Sequence, residues 1–415
     1  MTNSTTQPPT RQTRFPIELI IAAGCAISLL SFGPRSAIGA FQRDILVDNG
    51  WTRDVFSIAI ALQNLLWGLG QPLAGGFADR YGAVRVLIVG ALLYAAGLAL
   101  MGAATTPLMF DLSAGALVGF GLSGASFNLV LGAFGKLIPE RRRPLAFGMG
   151  TAAGSLGQFL FSPLAVGLIQ NFGWRETSYI FAGLMLLIAP LAFFLAAPRP
   201  TPHQQAGQDL SIGAAIARAF SHRSYVLLVI GFFTCGFQLA FITTHFQIYL
   251  TDQGLDPRVG GWAFAMIGIF NMVGSLSSGW LGARMPQRYI LSFIYLSRAA
   301  ATLAFLAIPP TPASALLFGA VTGLLWLSTV PPTSTLVSVM FGTTNFAMLF
   351  GFTFVSHQIG GFLGALLGGA IYEATGSYSI VWGLSIALGV ASALINLPIV
   401  EKPAEPKVVA APIRV

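Results

Sequence analysis

Charged side chains are scarce in this sequence. Only 9% of its 415 residues are Asp, Glu, Lys or Arg, whereas 55% are hydrophobic and the mean hydropathy is +0.75. Soluble domains carry about 25% charged residues, so most of this chain is expected to lie in lipid. The sequence has only two cysteines, Cys25 and Cys235, in separate apolar runs. Their placement argues against a disulfide framework and a metal site.

Recognisable reaction chemistry is also lacking. The sequence contains no phosphate-binding Walker loop and no strained nucleophile turn. Its 48 glycines are spread along the apolar runs, which is typical of close helix packing rather than of phosphate binding. We therefore predict that the chain is not an enzyme and has no cofactor.

Long apolar runs are what the sequence does contain. A helix needs about 20 apolar residues to cross a bilayer. Runs bounded by charge and by Pro/Gly clusters predict an all-α membrane protein with twelve transmembrane helices, α1 to α12. The predicted bounds are 17–42, 54–75, 83–104, 109–136, 145–170, 176–197, 224–250, 259–281, 288–308, 313–340, 346–371 and 379–399.

Lys and Arg are distributed unevenly around these helices. With the N-terminus in the cytoplasm, sixteen of them fall inside, four fall outside, and Arg35 and Arg298 remain within helices. This bias predicts that both termini are cytoplasmic. It also explains the net charge of +8 as loop anchoring, which argues against a nucleic-acid partner. The compact size and short loops predict a multi-pass protein of a bacterial-type inner membrane, working as a monomer.

The helices divide into two groups of six. The dividing segment is the longest polar interruption, rich in Pro and Gln, with a predicted short surface helix around Ile212–Phe220. The predicted segments are an N-terminal tail at 1–16, a first half at 17–197, a linker at 198–223, a second half at 224–400 and a C-terminal tail at 401–415.

A weak internal repeat supports the division. The stretch GGFADRYGAVRVL at 75–87 resembles SGWLGARMPQRYIL at 278–291. Gly76 corresponds to Gly279 and Arg85 to Arg288, each pair 203 residues apart. Parallel six-helix repeats of this kind are found in the major facilitator superfamily. We therefore expect the major facilitator fold, in two six-helix halves.

The first copy of the repeat is similar to the cytoplasmic loop signature of that superfamily. Asp79, Arg80, Gly82 and Arg85 match the signature, whereas Gly282 replaces the Asp in the second copy. The resemblance implies that Asp79, Arg80 and Arg85 hold a cytoplasmic gate. The alternative is that both loops are only positively charged anchors.

Two further stretches resemble the monocarboxylate transporters. They are PRSAIGAFQRDI at 34–45 and ERRRPLAFGMGTAAGSLG at 140–157. Arg35 stands where that family has a substrate-coupled lysine. His357 aligns with a helix 11 lysine of the related bacterial oxalate:formate antiporter. The sequence departs from the family at Asn271 and Ser275, where an Asp and an Arg are expected, so proton-coupled lactate transport does not carry over.

The two arginines within helices are the first candidate site residues. A guanidinium in hydrocarbon costs several kcal/mol, and no carboxylate lies near the middle of a predicted span. A water-filled cavity, carbonyl and amide ligands, or an anionic substrate could each stabilise it. Arg35 is favoured for substrate because α1 lines the central cavity in the superfamily, the alternative being a side chain that snorkels to the interface. Arg298 either binds substrate or bonds helix-end carbonyls and amides.

Other polar residues within the helices complete the candidate site. Asn128, Asn271 and Gln358 are candidate substrate hydrogen-bonders, some of which are expected to be only interhelical ties. His357 is a candidate for both substrate binding and proton coupling, because imidazole changes charge near neutral pH. Its alternative is a structural histidine. Two prolines in α10 predict a bend, as a hinge or as exposed carbonyls facing the cavity.

These observations favour a secondary carrier for small monocarboxylates or related organic anions. The carrier would rock its two halves around a midplane site, with proton symport and anion exchange both open. One alternative is an exporter of neutral or anionic aromatic compounds or drugs, since the chain has 33 Phe. The other is a transport-incompetent sensor, but the short loops leave no room for an output domain.

Overall fold

The computed structural model describes residues 14–51, 53–197 and 212–404, and in these ranges the regular structure is helical. Within these three ranges, eleven helices are long and apolar enough to cross a membrane. A twelfth helix, Arg53–Tyr81, has 29 residues and packs among them but is more polar. The prediction of an all-α, twelve-helix membrane fold is confirmed.

The observed helices agree closely with the predicted ones. A short helix at Ile212–Phe220 precedes α7, as expected. The bounds are α1 Ile17–Asn49, α2 Arg53–Tyr81, α3 Ala83–Gly102, α4 Pro107–Leu137, α5 Arg143–Phe172, α6 Trp174–Leu195, α7 Arg223–Asp252, α8 Pro257–Gly282, α9 Gln287–Leu306, α10 Pro312–Phe341, α11 Phe346–Thr375 and α12 Ser379–Asn396.

Two of these helices are interrupted near their middle. The last segment of α4 begins at Phe127, after an irregular turn at Ala125 and Ser126. In α10 the first segment ends at Leu325 and the second, Val330–Phe341, begins with two prolines in its first turn. Proline has no backbone N–H to donate, which explains the α10 interruption. The two breaks lie about 203 residues apart, so they belong to the internal repeat.

The packing partners follow the same repeat. In the first half α1 packs on α5, α3 on α6 and α2 on α4; in the second half α7 packs on α11, α9 on α12 and α8 on α10. Between the halves, the main contacts are α2 with α11 and α5 with α8. A site between the halves is therefore bounded by these four helices and by α1, α4, α7 and α10.

The halves touch on one side of the membrane, which we call the Asp79 side and which is the predicted cytoplasmic side. A Cβ on Gly75 would lie 2.3 Å from the Ala347 carbonyl oxygen, and one on Gly148 would lie 3.1 Å from Gly279 Cα. Glycine permits both backbone approaches. Gly268, on the α8 face that meets α5, has no such neighbour within 4 Å. The halves are thus in contact at the Asp79 side, and on α8 that close contact has ended by Gly268.

Candidate functional site

Arg35 lies half-buried in α1 and is held by α2. Its Nη2 donates to Asn64 Oδ1, and Asn64 in turn donates to the Ile60 carbonyl at 3.0 Å. The guanidinium stacks over the Trp67 ring, 4.7 Å from the centroid. Arg35 Nε has no hydrogen-bond partner in the part of the chain that the structure describes. Among the described residues, no carboxylate pairs with Arg35, so its charge is oriented but not neutralised.

A chain of polar contacts joins Arg35 to the second half. Gln358 of α11 donates from Nε2 to the Asn64 carbonyl at 3.3 Å. Its Oε1 lies 3.2 Å from Nδ1 of His357. The Arg35 guanidinium and the His357 imidazole are thus joined by one network that crosses the α2–α11 contact. Separation of these two helices would break it.

Aromatic rings surround this network on the Asp79 side. Trp67 lies 4.8 Å from Phe354, and Phe354 stacks on His357 at 5.5 Å with an interplanar angle of 7°. Phe32 contacts Trp67 at 5.8 Å and Phe127 at 5.1 Å. Rings from both halves therefore form an apolar floor beneath Arg35.

Arg298 holds the break in α10 and reaches the His357 end of this network through Cys235. Its Nη2 lies 3.8 Å from Cys235 Sγ, and the Cys235 thiol also hydrogen-bonds His357. Arg298 is 5% exposed and donates to the Leu325 and Trp326 carbonyls. Its Nη1 also donates to Gln238 Oε1 at 3.3 Å. Those carbonyls end the first α10 segment, so Arg298 satisfies acceptors that the break exposes. Of the two roles open for Arg298, the contacts favour helix-end bonding.

Asn271 completes the same break from α8. Its Oδ1 accepts from Leu327 N at 3.0 Å, and its Nδ2 donates to Ser155 Oγ at 2.7 Å. Ser155 belongs to α5 of the first half. Asn271 therefore ties the α10 break to the opposite half, and its amide is fully used by protein groups.

Asp79 joins the two halves at the closed side. Its carboxylate accepts from Met348 N at 2.9 Å, at the first turn of α11, and from Lys136 Nζ at 2.7 Å. The negative charge also suits the positive end of the α11 dipole. Arg80 is exposed and lies over the Tyr81 ring, and Arg85 is exposed as well. The cation that contacts Asp79 is Lys136, because the end of α4 packs on α2.

Asn128 lies on the Asp79 side of the aromatic floor and does not join the Arg35 network. It is fully buried, and neither of its amide atoms has a hydrogen-bond partner within residues 14–51, 53–197 and 212–404. Sequence reasoning did not single out Asn64, Trp67 or Gln71 as site residues. Together with Gly75 and Asp79 they follow at three- and four-residue spacings along one face of α2. Extending that face back from Asp79 would have found them.

Comparison with known proteins agrees with this architecture. The sequence model of the Major Facilitator Superfamily matches residues 24–365. An uncharacterized MFS-type transporter of Bacillus subtilis, YcxA, is 26% identical over 366 residues, covering 84% of this chain and 87% of the relative. Monocarboxylate transporter 13 of Bos taurus is 28% identical over 358 residues, covering 83% and 79%.

Solved structures show the same fold. The transporter FucP in the outward conformation has a TM-score of 0.71 at 16% identity and covers 91% of this chain and 98% of its own. The proton:xylose symporter XylE has a TM-score of 0.72 at 13% identity and covers 94% and 97%. The family match spans most of the chain and the twelve helices agree with it. This protein therefore belongs to the Major Facilitator Superfamily and is a membrane transporter, not an enzyme.

Proposed function

We propose that this protein transports small monocarboxylates or related organic anions by alternating access, with Arg35 binding the carboxylate. The observation that carries the proposal is the guanidinium between α1 and α2, which no described carboxylate neutralises and whose Nε no described residue binds. Guanidinium binds carboxylate through paired hydrogen bonds, and burial strengthens the attraction. The likeness to monocarboxylate transporter 13 supports the same substrate class.

The hydrogen-bond network from Arg35 to His357 suggests how carboxylate binding at Arg35 would affect the second half. A carboxylate that pairs with Arg35 would share the guanidinium with Asn64. Gln358 and His357 are the next members of the hydrogen-bond network. Neutralising the charge lowers the electrostatic cost of closing the halves over the site. The orientation of the chain, with the Asp79 side in the cytoplasm, is part of the proposal.

A ligand screen tests the proposal directly. We expect monocarboxylates to raise the Tm of the purified protein, whereas lipophilic cations leave it unchanged. A ligand at 100 times its Kd stabilises the folded state by about 2.7 kcal/mol. The measurement is thermal denaturation in detergent across mono-, di- and aromatic carboxylates and neutral or cationic drugs. Preferential stabilisation by cations would overturn the assignment.

The aromatic floor favours one second candidate, an exporter of anionic or neutral aromatic compounds. Phe32, Trp67, Phe127 and Phe354 present rings within one cluster beside Arg35. Such a surface suits a planar apolar group. The same screen separates the candidates, since an aromatic exporter would respond to aromatic compounds and not to short aliphatic acids.

His357 is the proposed proton-coupling residue, and its replacement is a second test. We expect His357→Gln to flatten the pH dependence of transport, because glutamine keeps hydrogen-bonding groups but does not change charge. The contact to Gln358 remains available to the new amide. The measurement is initial uptake rate in proteoliposomes across the neutral pH range. An unchanged profile would exclude His357 as the proton carrier and favour anion exchange.

A further inference from the structure

Several buried polar atoms that no described residue binds lie where α2, α4 and α11 meet. They are both amide atoms of Gln71, both of Asn128, Trp67 Nε1 and Ser126 Oγ. The four side chains are at most 3% exposed. A buried polar atom left without a bond costs about 1–3 kcal/mol, so several in one region call for a ligand, water or both.

Helix register places the two amides at one level. Both Gly75 and Gly132 lie against Ala347. A Cβ added to Gly75 would lie 2.3 Å from the Ala347 carbonyl oxygen, and one added to Gly132 would lie 2.9 Å from the Ala347 Cβ. Gln71 and Asn128 each lie one helical turn before these glycines. Since α2 and α4 run antiparallel to α11, both amides reach the level of Gly351, which contacts the backbone of Gln71.

The Gln71 and Asn128 amides lie at a different depth along the helices from Arg35. Gln71 lies seven residues beyond Asn64 on α2, which is about 10 Å along the helix axis. Trp67 lies between them: its ring carries the Arg35 guanidinium and contacts Phe354. A small carboxylate bound at Arg35 is thus separated by the aromatic floor from the unpartnered amides.

The four groups share one chemistry, because each can donate a hydrogen bond and none is charged. Two amide NH₂ groups, an indole N–H and a hydroxyl suit the oxygens of a carboxylate. Neutral donors hold an anion less tightly than a guanidinium does. Such a position accepts the anion and then releases it.

We propose that Gln71, Asn128, Trp67 and Ser126 form a second, inner binding position for the carboxylate of the transported anion. The inference rests on the proposed function and extends it. The position adjoins the Gly75–Ala347 contact, which has to separate for the Asp79 side to open. The anion would pass from Arg35 to these donors as Trp67 and Phe354 part, and then leave past Asp79.

The test compares binding with transport in Gln71→Leu and Asn128→Leu. Leucine keeps the approximate volume and removes unpartnered polar atoms, so both variants should fold. We expect the Kd for a labelled monocarboxylate to stay within about twofold, while the maximal exchange rate in proteoliposomes falls about tenfold in each. Gln71→Glu is a second variant of equal length, in which an added negative charge should stop exchange and leave the Kd similar.

Asn396→Leu is the matched control. Asn396 is a buried amide with an unpartnered oxygen on peripheral α12, so we expect normal binding and exchange. Exchange at the wild-type rate in Gln71→Leu, Asn128→Leu and Gln71→Glu would overturn the inner position. A Kd weakened as much as the rate would also overturn it, by making the amides part of the Arg35 site. A wild-type protein that neither binds nor exchanges monocarboxylates would refute the proposed function itself.

Discussion

Arg35→Ala is expected to abolish monocarboxylate transport while leaving the protein folded. The variant removes the charge that we assign to the substrate, together with the contacts to Asn64 and Trp67. Removing one partner of a buried, hydrogen-bonded charge pair costs about 2–5 kcal/mol, which corresponds to about 30-fold or more in affinity. The measurement is uptake of labelled substrate into proteoliposomes, with Kd determined on the solubilised protein.

The chain offers a closely matched control for this experiment. Arg284 also stacks over a tryptophan, Trp280, at 3.8 Å, but it is exposed at the end of α8. Arg284→Ala should transport normally. Arg35→Lys keeps the charge but loses the planar fork, so we expect weakened binding with some residual transport. Full activity of Arg35→Ala would remove the central assignment.

The helices could be predicted because hydropathy and charge act locally along the chain. The interruption of α10 could be predicted from its two prolines, because proline has no backbone N–H and is identified from the sequence alone. The break in α4 at Ala125 and Ser126 carries no proline and was not predicted. Gly124 lies against Gly90 of α3 there, so tertiary packing and not local sequence accompanies that break.

Side-chain partners could not be predicted, because they depend on how the helices rotate against one another. Lys136 contacts Asp79 from 57 residues away along the chain, and no local sequence pattern pairs the two residues. Asn64 bonds Arg35 across 29 residues, and the sequence gives no sign of this pairing. Their charge indicated that Asp79 and Arg35 need partners. The packing of α4 and α1 on α2 determines that these partners are Lys136 and Asn64.

Besides the Asp79–Met348 bond, two further hydrogen-bond ties join the halves. Asn271 bonds Ser155 across α8 and α5, and Gln358 bonds Asn64 across α11 and α2. Asn271 and Gly68 occupy equivalent positions in the repeat, and Gly68 is the residue against which Gln358 packs. Opening the Asp79 side would break both ties, but only the Gln358 tie is connected to Arg35, through Asn64. We infer that substrate binding acts directly on the α2–α11 contact, and that the α5–α8 contact separates as a consequence.

Arg298→Met is expected to destabilise the protein strongly. The guanidinium donates to the Leu325 and Trp326 carbonyls and to Gln238. Methionine fills much of the volume but leaves these acceptors buried without donors. At about 1–3 kcal/mol for each unsatisfied carbonyl, the loss is about 2–6 kcal/mol. We expect the Tm in detergent to fall by about 5 °C or more.

Arg298→Lys separates this structural role from substrate binding. A lysine retains the positive charge and can reach one carbonyl but not the whole set, so the Tm should recover in part. If Arg298 acts only on the α10 break, a saturating monocarboxylate should raise the Tm of Arg298→Lys by as much as it raises that of wild type. A variant with normal Tm and no response to substrate would instead place Arg298 in the binding site. That outcome would contradict a guanidinium whose donors are already occupied by Leu325, Trp326 and Gln238.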